Sequence, residues 1–147
     1  QLAHFAGFLD ERVTQEGPSV PLTAAAAETL ALALHELATN AAKHGALSKE
    51  SGRVVIAWDV ATEAEDGPWF LMSWQEQDGP PVIPPGRRGF GTTVLTRMVE
   101  MNLNGEVSLD YPESGLVWRL CCPAANAVER VVPREVLPVS DVDIPGR

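Results

Sequence analysis

One stretch, residues 30–48, constrains the chain more than any other, because it combines a helical repeat with a row of polar side chains. The apolar residues at the spacing of one helix face are Leu30, Leu34, Leu37 and Ala41. The polar residues of the adjoining stripe are Glu36, Asn40, Lys43 and His44. An amide oxygen is a ligand for Mg²⁺, and a carboxylate one turn away can accept a proton or orient a metal-bound water. The stripe is therefore typical either of a solvated helix face or of a metal-dependent site, and other segments must decide between the two.

Periodicity elsewhere predicts a mixture of helices and strands. The predicted helices cover residues 2–15, a segment from the N-cap Thr23 to about His44 with Gly45 as its stop, and 92–103. The predicted strands cover 53–59, 69–76, 106–111 and 115–122, with a short edge strand at 20–22. We expect an α+β fold in which the helices lie on one face of a mostly antiparallel sheet.

The chain is long enough for one domain, which we place at residues 1–123. Residues 124–147 contain prolines at 133, 138 and 145 and little periodicity. They predict a tail or linker. Its apolar residues available for docking are Val131, Val132, Val136 and Leu137.

Charge and composition exclude several classes of protein. A net charge of −9 with only 11 Lys and Arg argues against nonspecific nucleic-acid binding. No window of about 18 apolar residues predicts a membrane span, and the first residues lack the basic and apolar regions of a signal peptide. The missing initiator Met indicates an excised fragment.

Cys121 and Cys122 are adjacent, so a strand would point them to opposite faces, and they form no metal-ligand pattern.

A proline-rich loop over residues 77–91 ends in a glycine turn that opens directly into a predicted helix. The segment reads Arg87, Arg88, Gly89, Phe90, Gly91 and Thr92. Glycines let backbone amides approach a ligand, and a helix N-terminus attracts anions, so the segment is typical of a phosphate site. The alternative is a flexible connector before an ordinary helix.

The end of the second predicted strand offers another candidate. The carboxylate of Glu76 can accept an amino proton from a nucleobase, and Gly79 would let a ring lie against the backbone. The alternative for Glu76 is a solvated strand end. His35 and His44 lack the neighbours of a zinc site, whereas His44 can act as a cation at the helix end or as a partner to a phosphate.

Three motifs in this order closely resemble the HWE subfamily of sensor histidine kinases, within the GHKL ATPase superfamily. The first runs from His35 through Glu36, Asn40, Lys43, His44 and Gly45 to Ser48. The second is Trp74, Gln75 and Glu76, and the third is Arg88, Gly89, Phe90 and Gly91. The resemblance covers residues 20–123. The absence of a Gly-x-Ser-x-Gly elbow and of a Walker A motif leaves serine hydrolase and P-loop functions without support.

The resemblance implies a Bergerat-type two-layer α/β sandwich that binds ATP between helices and sheet, with residues 80–88 as a short lid. It implies that Asn40 coordinates Mg²⁺, that Glu36 orients or deprotonates the attacking group, and that Lys43 lies near phosphate. Gly89 and Gly91 would cradle phosphates, with Arg87 or Arg88 holding their oxygens. Glu76 and Gly79 would lie at adenine.

The chain departs from the family pattern at the adenine end. The usual Asp-x-Gly-x-Gly motif is replaced by Glu76, Gln77, Asp78, Gly79 and Pro80. Either Glu76 or Asp78 could therefore receive the adenine amino group, and we favour Glu76. A threonine usual on a late strand is Leu116 here, and His44 stands where the subfamily often has tyrosine.

No phosphoacceptor motif of the type His-Arg-x-x-Asn occurs in the chain. The resemblance implies a cytoplasmic catalytic domain that transfers the γ-phosphoryl group of ATP to a histidine on a separate dimerisation domain. That domain and a response regulator would be its partners, and any homodimer would form through segments missing here. Two alternatives are a docking module whose nucleotide site has decayed and an ATP-driven clamp of the same superfamily.

Overall fold

A computed structural model describes residues 11–62, 65–81 and 93–129. Its strands are β1 (Val13–Glu16), β2 (Arg53–Ala61), β3 (Trp69–Gln77), β4 (Glu106–Asp110) and β5 (Val117–Pro123). Its α-helices are α1 (Ala24–Lys43) and α2 (Val99–Leu103). A π-helical turn, Val94–Met98, leads into α2, and short 3₁₀ turns cover Ala46–Ser48 and Ala124–Asn126. The α+β prediction is confirmed.

Helix α1 forms where the sequence predicts it. The side chain of Thr23 accepts the N–H of Ala26 at 3.1 Å and caps the first turn. The helix ends at Lys43, with His44 as C-cap. The predicted apolar face, Leu30, Leu34, Leu37 and Ala41, is entirely buried. This burial fixes the rotation of the helix and therefore the direction of its polar stripe.

The five strands form one mixed sheet in the order β1-β2-β3-β5-β4. Strand β1 runs parallel to β2, and the other three pairs are antiparallel, including the predicted hairpin of β2 and β3. Alternation along the strands sends one set of side chains toward the helices. The buried members of that set are Val54, Ile56, Phe70, Met72, Trp74, Trp118, Leu120 and Cys122. The core therefore lies between the sheet and α1.

Two sequence predictions at the start of the chain need correction. The helix predicted over 2–15 is wrong at its end, because Val13–Glu16 forms β1 and Val13 pairs with Val54. Residues 1–10 lie outside the described part. The predicted edge strand at 20–22 is reduced to one bridge between Leu22 and Val128. In the segment Val13–Glu16 the predicted helix had only one apolar residue, Val13, so pairing with the distant strand β2 outweighs the helical spacing.

The third predicted helix is confirmed over its described part. It is helical from Thr93 to Leu103 and ends at Asn104, whose φ of 50° is left-handed. The beginning of the predicted tail packs against the start of α1: the N–H of Thr23 donates to the Ala127 carbonyl at 2.9 Å, and Ala124 and Ala127 are buried. No described helix is both long and apolar enough to cross a bilayer.

Candidate functional site

The polar stripe of α1 lies beside the buried face and is open to solvent. Glu36 and Asn40 are partly buried, one turn apart, whereas Lys43 and His44 are exposed at the end of the helix. None of the four side chains is hydrogen-bonded or ion-paired to another described residue. Within the described part of the chain, their polar groups therefore have no protein partner.

The donor set of this stripe fits Mg²⁺ only as a partner of other oxygen ligands. The described residues contain no cluster of three or more His, Cys, Asp or Glu side chains able to hold a metal ion. Mg²⁺ keeps several waters and is commonly held by one or two protein oxygens together with substrate phosphates. The amide oxygen of Asn40 fits that kind of coordination, in which the protein supplies few ligands.

Glu76 lies inside the protein at the end of β3, with only 5% of its surface exposed. Its Oε1 accepts the backbone N–H of Ala46 at 2.8 Å, and its Oε2 accepts the indole N–H of Trp74 at 3.1 Å. Burial raises the pKa of Glu76 above its usual value, although these two hydrogen bonds act in the opposite direction. The alternative of a solvated strand end is therefore wrong for this residue.

The contact with Ala46 joins the end of α1 to the end of β3. Gly45 follows the C-cap, and its N–H donates to the carbonyls of Asn40 and Ala41 at 3.2 and 3.0 Å. A Cβ on Gly45 would collide with Oε1 of Glu76. The carboxylate is therefore packed directly against the segment that leaves the helix carrying Asn40.

Gly79 also lies against the same segment. A Cβ on Gly79 would stand 2.5 Å from the Cα of Ala46. Asp78, the other candidate for the adenine contact, is exposed and has a positive φ of 56°. The backbone carbonyl of Leu116 accepts the N–H of Glu76 at 2.9 Å, so the residue in place of the usual threonine also lies beside Glu76.

The structure thus brings the helix end and the strand end together, but it describes only part of the predicted site. The predicted residues outside the described part are Arg87, Arg88, Gly89, Phe90, Gly91 and Thr92. Sequence reasoning missed Ala46, which contributes only a backbone N–H. No side-chain pattern could have identified it, because its partner Glu76 is 30 residues away.

The two cysteines occupy opposite faces of β5, as predicted. Cys122 is buried in the core, and burial raises the pKa of its thiol to about 11. Cys121 is partly exposed on the other face, where burial and the nearby Glu106 and Asp66 raise its pKa as well. Neither thiol is placed to act as a thiolate near neutral pH.

Comparison with known proteins gives a consistent family of relatives. No family model matches the chain. A blue-light-activated histidine kinase of Brucella anthropi is 38% identical over 122 residues, which is 83% of this chain and 25% of the relative. Blue-light-activated histidine kinase 1 of Erythrobacter litoralis is 42% identical over 116 residues, or 77% of this chain and 31% of the relative. The chain thus spans about a quarter to a third of the length of these curated relatives.

Solved structures share the fold at lower sequence identity. A blue-light-activated histidine kinase from Erythrobacter litoralis superimposes with a TM-score of 0.66 and 20% identity, over 83% of this chain and 40% of that one. The catalytic domain of the histidine kinase ThkA superimposes with a TM-score of 0.59 and 16% identity, over 83% of this chain and 90% of that one. The match therefore includes nearly the whole of a separately solved catalytic domain.

Proposed function

We infer the function from one premise, that this chain belongs to the histidine kinase family. The resemblance found in the sequence is thereby confirmed. We propose that the chain is the catalytic domain of a sensor histidine kinase, that it binds ATP with Mg²⁺, and that it transfers the γ-phosphoryl group to a histidine on another domain. Because the chain spans only a quarter to a third of the length of these relatives, this activity is a proposal.

One observation carries the site assignment. The helix that presents Glu36 and Asn40 ends at Lys43, and three residues later the N–H of Ala46 donates to the carboxylate of Glu76. The predicted metal end and the predicted adenine end of the site are thus linked through the segment that follows α1, which supports the proposal. The buried carboxylate fixes the end of α1 relative to the end of β3, as a site that is built from both elements requires.

Each residue has a specific role in this proposal. Asn40 would supply an amide oxygen to Mg²⁺, and the ion would neutralise charge on the triphosphate. Glu36 would orient or deprotonate the attacking imidazole, and Lys43 would add positive charge near the phosphates. Catalysis of this type depends on positioning and electrostatics, so the isolated chain should turn over ATP slowly.

The adenine end depends chiefly on Glu76 and Gly79. Both carboxylate oxygens of Glu76 already accept a hydrogen bond from the protein, but each oxygen can accept more than one. Glu76 can therefore fix Ala46 and still receive an adenine amino group. Asp78 is the alternative acceptor because it is exposed one step beyond β3.

Most of the remaining residues of the proposal precede the third helix in sequence and lie outside the described part of the chain. We propose that Gly89, Phe90, Gly91 and Thr92 surround the phosphates, with Arg87, Arg88 and His44 as cationic partners. A phosphoacceptor domain and a response regulator would be the protein partners, and a homodimer would form through other segments. We also propose that the domain works in the cytoplasm, as its resemblance to sensor histidine kinases implies.

Calorimetric titration of the chain with a non-hydrolysable ATP analogue, with and without Mg²⁺, tests the proposal. We expect saturable binding that weakens about tenfold or more in Asn40→Ala, a loss of at least about 1.4 kcal/mol, and only when Mg²⁺ is present. Glu28→Ala is a matched control, since Glu28 is exposed on α1 well before the stripe. If Asn40→Ala and Glu36→Ala both bind the nucleotide as tightly as the unaltered chain does, the site assignment is refuted.

A complete absence of nucleotide binding by the unaltered chain would refute the function itself. It would favour the alternative of a docking module with a decayed nucleotide site.

A further inference from the structure

An arginine at the start of the described chain, Arg12, donates hydrogen bonds to the loop that follows α1. The guanidinium of Arg12 donates from Nη1 to the carbonyl of Lys49 and from Nη2 to the carbonyl of Leu47, the latter at 3.3 Å. Both carbonyls lie in the loop 45–49, which includes the 3₁₀ turn Ala46–Ser48. Arg12 is separated from these partners by more than 30 residues in sequence.

The same loop is also held by Glu76. The Ala46 N–H points to the buried carboxylate, while the carbonyls of Leu47 and Lys49 point to the guanidinium. The loop 45–49 is therefore held by two side chains: the carboxylate of Glu76 accepts a hydrogen bond from it, and the guanidinium of Arg12 donates hydrogen bonds to it. The loop has few internal hydrogen bonds. Ser48 donates to the Gly45 carbonyl from its N–H at 3.0 Å and from its Oγ at 2.6 Å, and the Lys49 N–H donates to the Ala46 carbonyl at 3.4 Å.

Arg12 is itself anchored to the sheet. Its backbone carbonyl accepts the N–H of Val54 at 3.1 Å, directly before the register in which Val13 pairs with Val54. The guanidinium is planar, permanently charged and able to bind two carbonyls with one fork, which an ammonium cannot do in the same geometry. The side chain thus connects the loop 45–49 to the start of β1, so that the position of the loop depends on that strand.

We propose that Arg12 is a positioning residue for the nucleotide site: by fixing the loop 45–49 against Glu76, it sets the affinity of the chain for ATP. This inference rests on the function proposed above. Arg12 acts through the loop, and the groups that depend on it are the Ala46 N–H and the end of α1. Loss of the guanidinium would remove two hydrogen bonds from the loop, whereas the bond to Glu76 and the bond from the Gly52 N–H to the Lys49 carbonyl at 3.1 Å would remain.

The test compares Arg12→Ala, Arg12→Lys and Arg119→Ala with the unaltered chain. Arg119→Ala removes the same charge from an exposed side chain on the opposite face of the sheet, so it controls for a general effect of charge on an anionic ligand. The measurements are calorimetric affinity for ADP and a non-hydrolysable ATP analogue with Mg²⁺, the urea midpoint without nucleotide, and hydrogen exchange of the loop amides.

We expect Arg12→Ala to weaken nucleotide binding about tenfold, on the scale of a lost charge-assisted hydrogen bond. Exchange of the Ser48 and Lys49 amides should accelerate, while the amides of β3 remain protected. Arg12→Lys should recover part of the affinity, because an ammonium can hold one of the two carbonyls. Arg119→Ala should bind as the unaltered chain does.

Three results would overturn the inference. If the unaltered chain binds nucleotide and Arg12→Ala binds within twofold of it, the positioning role fails while the proposed function stands. If affinity falls only in proportion to a general loss of folded protein, with β3 amides exchanging as fast as the loop, Arg12 is a stabilising residue and the inference fails. Absence of binding by the unaltered chain would overturn both the function and the inference.

Discussion

Replacing Gly45 with alanine tests the contact that joins the helix end to the strand end. Gly45 has φ of −110° and ψ of −152°, an extended conformation that alanine also adopts, so the backbone itself adds no strain. The new methyl group would occupy the position of Glu76 Oε1 and would lie 3.0 Å from the Cα of Ala41. The carboxylate must therefore move away from Ala46.

The size of the effect follows from the contacts that are lost. Breaking a buried hydrogen bond to a charged acceptor costs about 1.5–3 kcal/mol. Overpacking in a filled site adds about 1–3 kcal/mol. The smaller entropy of the unfolded chain with alanine returns about 0.4–1 kcal/mol. We expect Gly45→Ala to lower the free energy of unfolding by about 2–5 kcal/mol.

A double-mutant cycle isolates the part of this cost that involves Glu76. Urea unfolding is measured for the unaltered chain, Gly45→Ala, Glu76→Ala and the double variant, with linear extrapolation to water. In the Glu76→Ala background the methyl group meets no carboxylate, so a coupling energy of about 1.5–3 kcal/mol is expected. Glu76→Asp, whose shorter side chain withdraws the carboxylate, serves as a second background if Glu76→Ala does not fold.

An equal cost of Gly45→Ala in both backgrounds would refute the reasoning. It would mean that the methyl group is resisted by Ala41 alone and that the carboxylate does not hold the loop.

Two further predictions concern the titrating groups. Because the folded-state pKa of Glu76 is raised, its contribution to stability is fully present below pH 4.5 and is lost as pH rises through the raised value. In urea titrations, the free energy of unfolding of the unaltered chain minus that of Glu76→Gln should therefore fall with rising pH. A difference that rises with pH would contradict the assignment. A thiol reagent in mildly alkaline buffer should modify Cys121 slowly and Cys122 only after unfolding, since Cys122 is fully buried and its pKa is about 11. A Cys122→Ser control identifies the signal of the second thiol. Equal labelling of both thiols in the folded chain would contradict the burial of Cys122.

The candidate site was predictable where local pattern and chemistry coincide. A 3.6-residue period fixed the buried face of α1, and the same period then placed Glu36 and Asn40 one turn apart on its flank. Alternation predicted the strands β2 to β5, and three motifs in a fixed order were enough to indicate the histidine kinase family. In these cases the information lies within a few neighbouring residues.

The sequence alone therefore determined the long helix, four strands, the polar stripe and the family. Tertiary structure decided what depends on distant partners: that Val13 joins a sheet instead of extending a helix, and that Glu76 is buried with both oxygens bound. It also decided that Arg12 reaches the loop after α1. The physical reason is that hydrogen bonds between residues 30 or more positions apart leave no period in the chain, whereas burial of one helix face does.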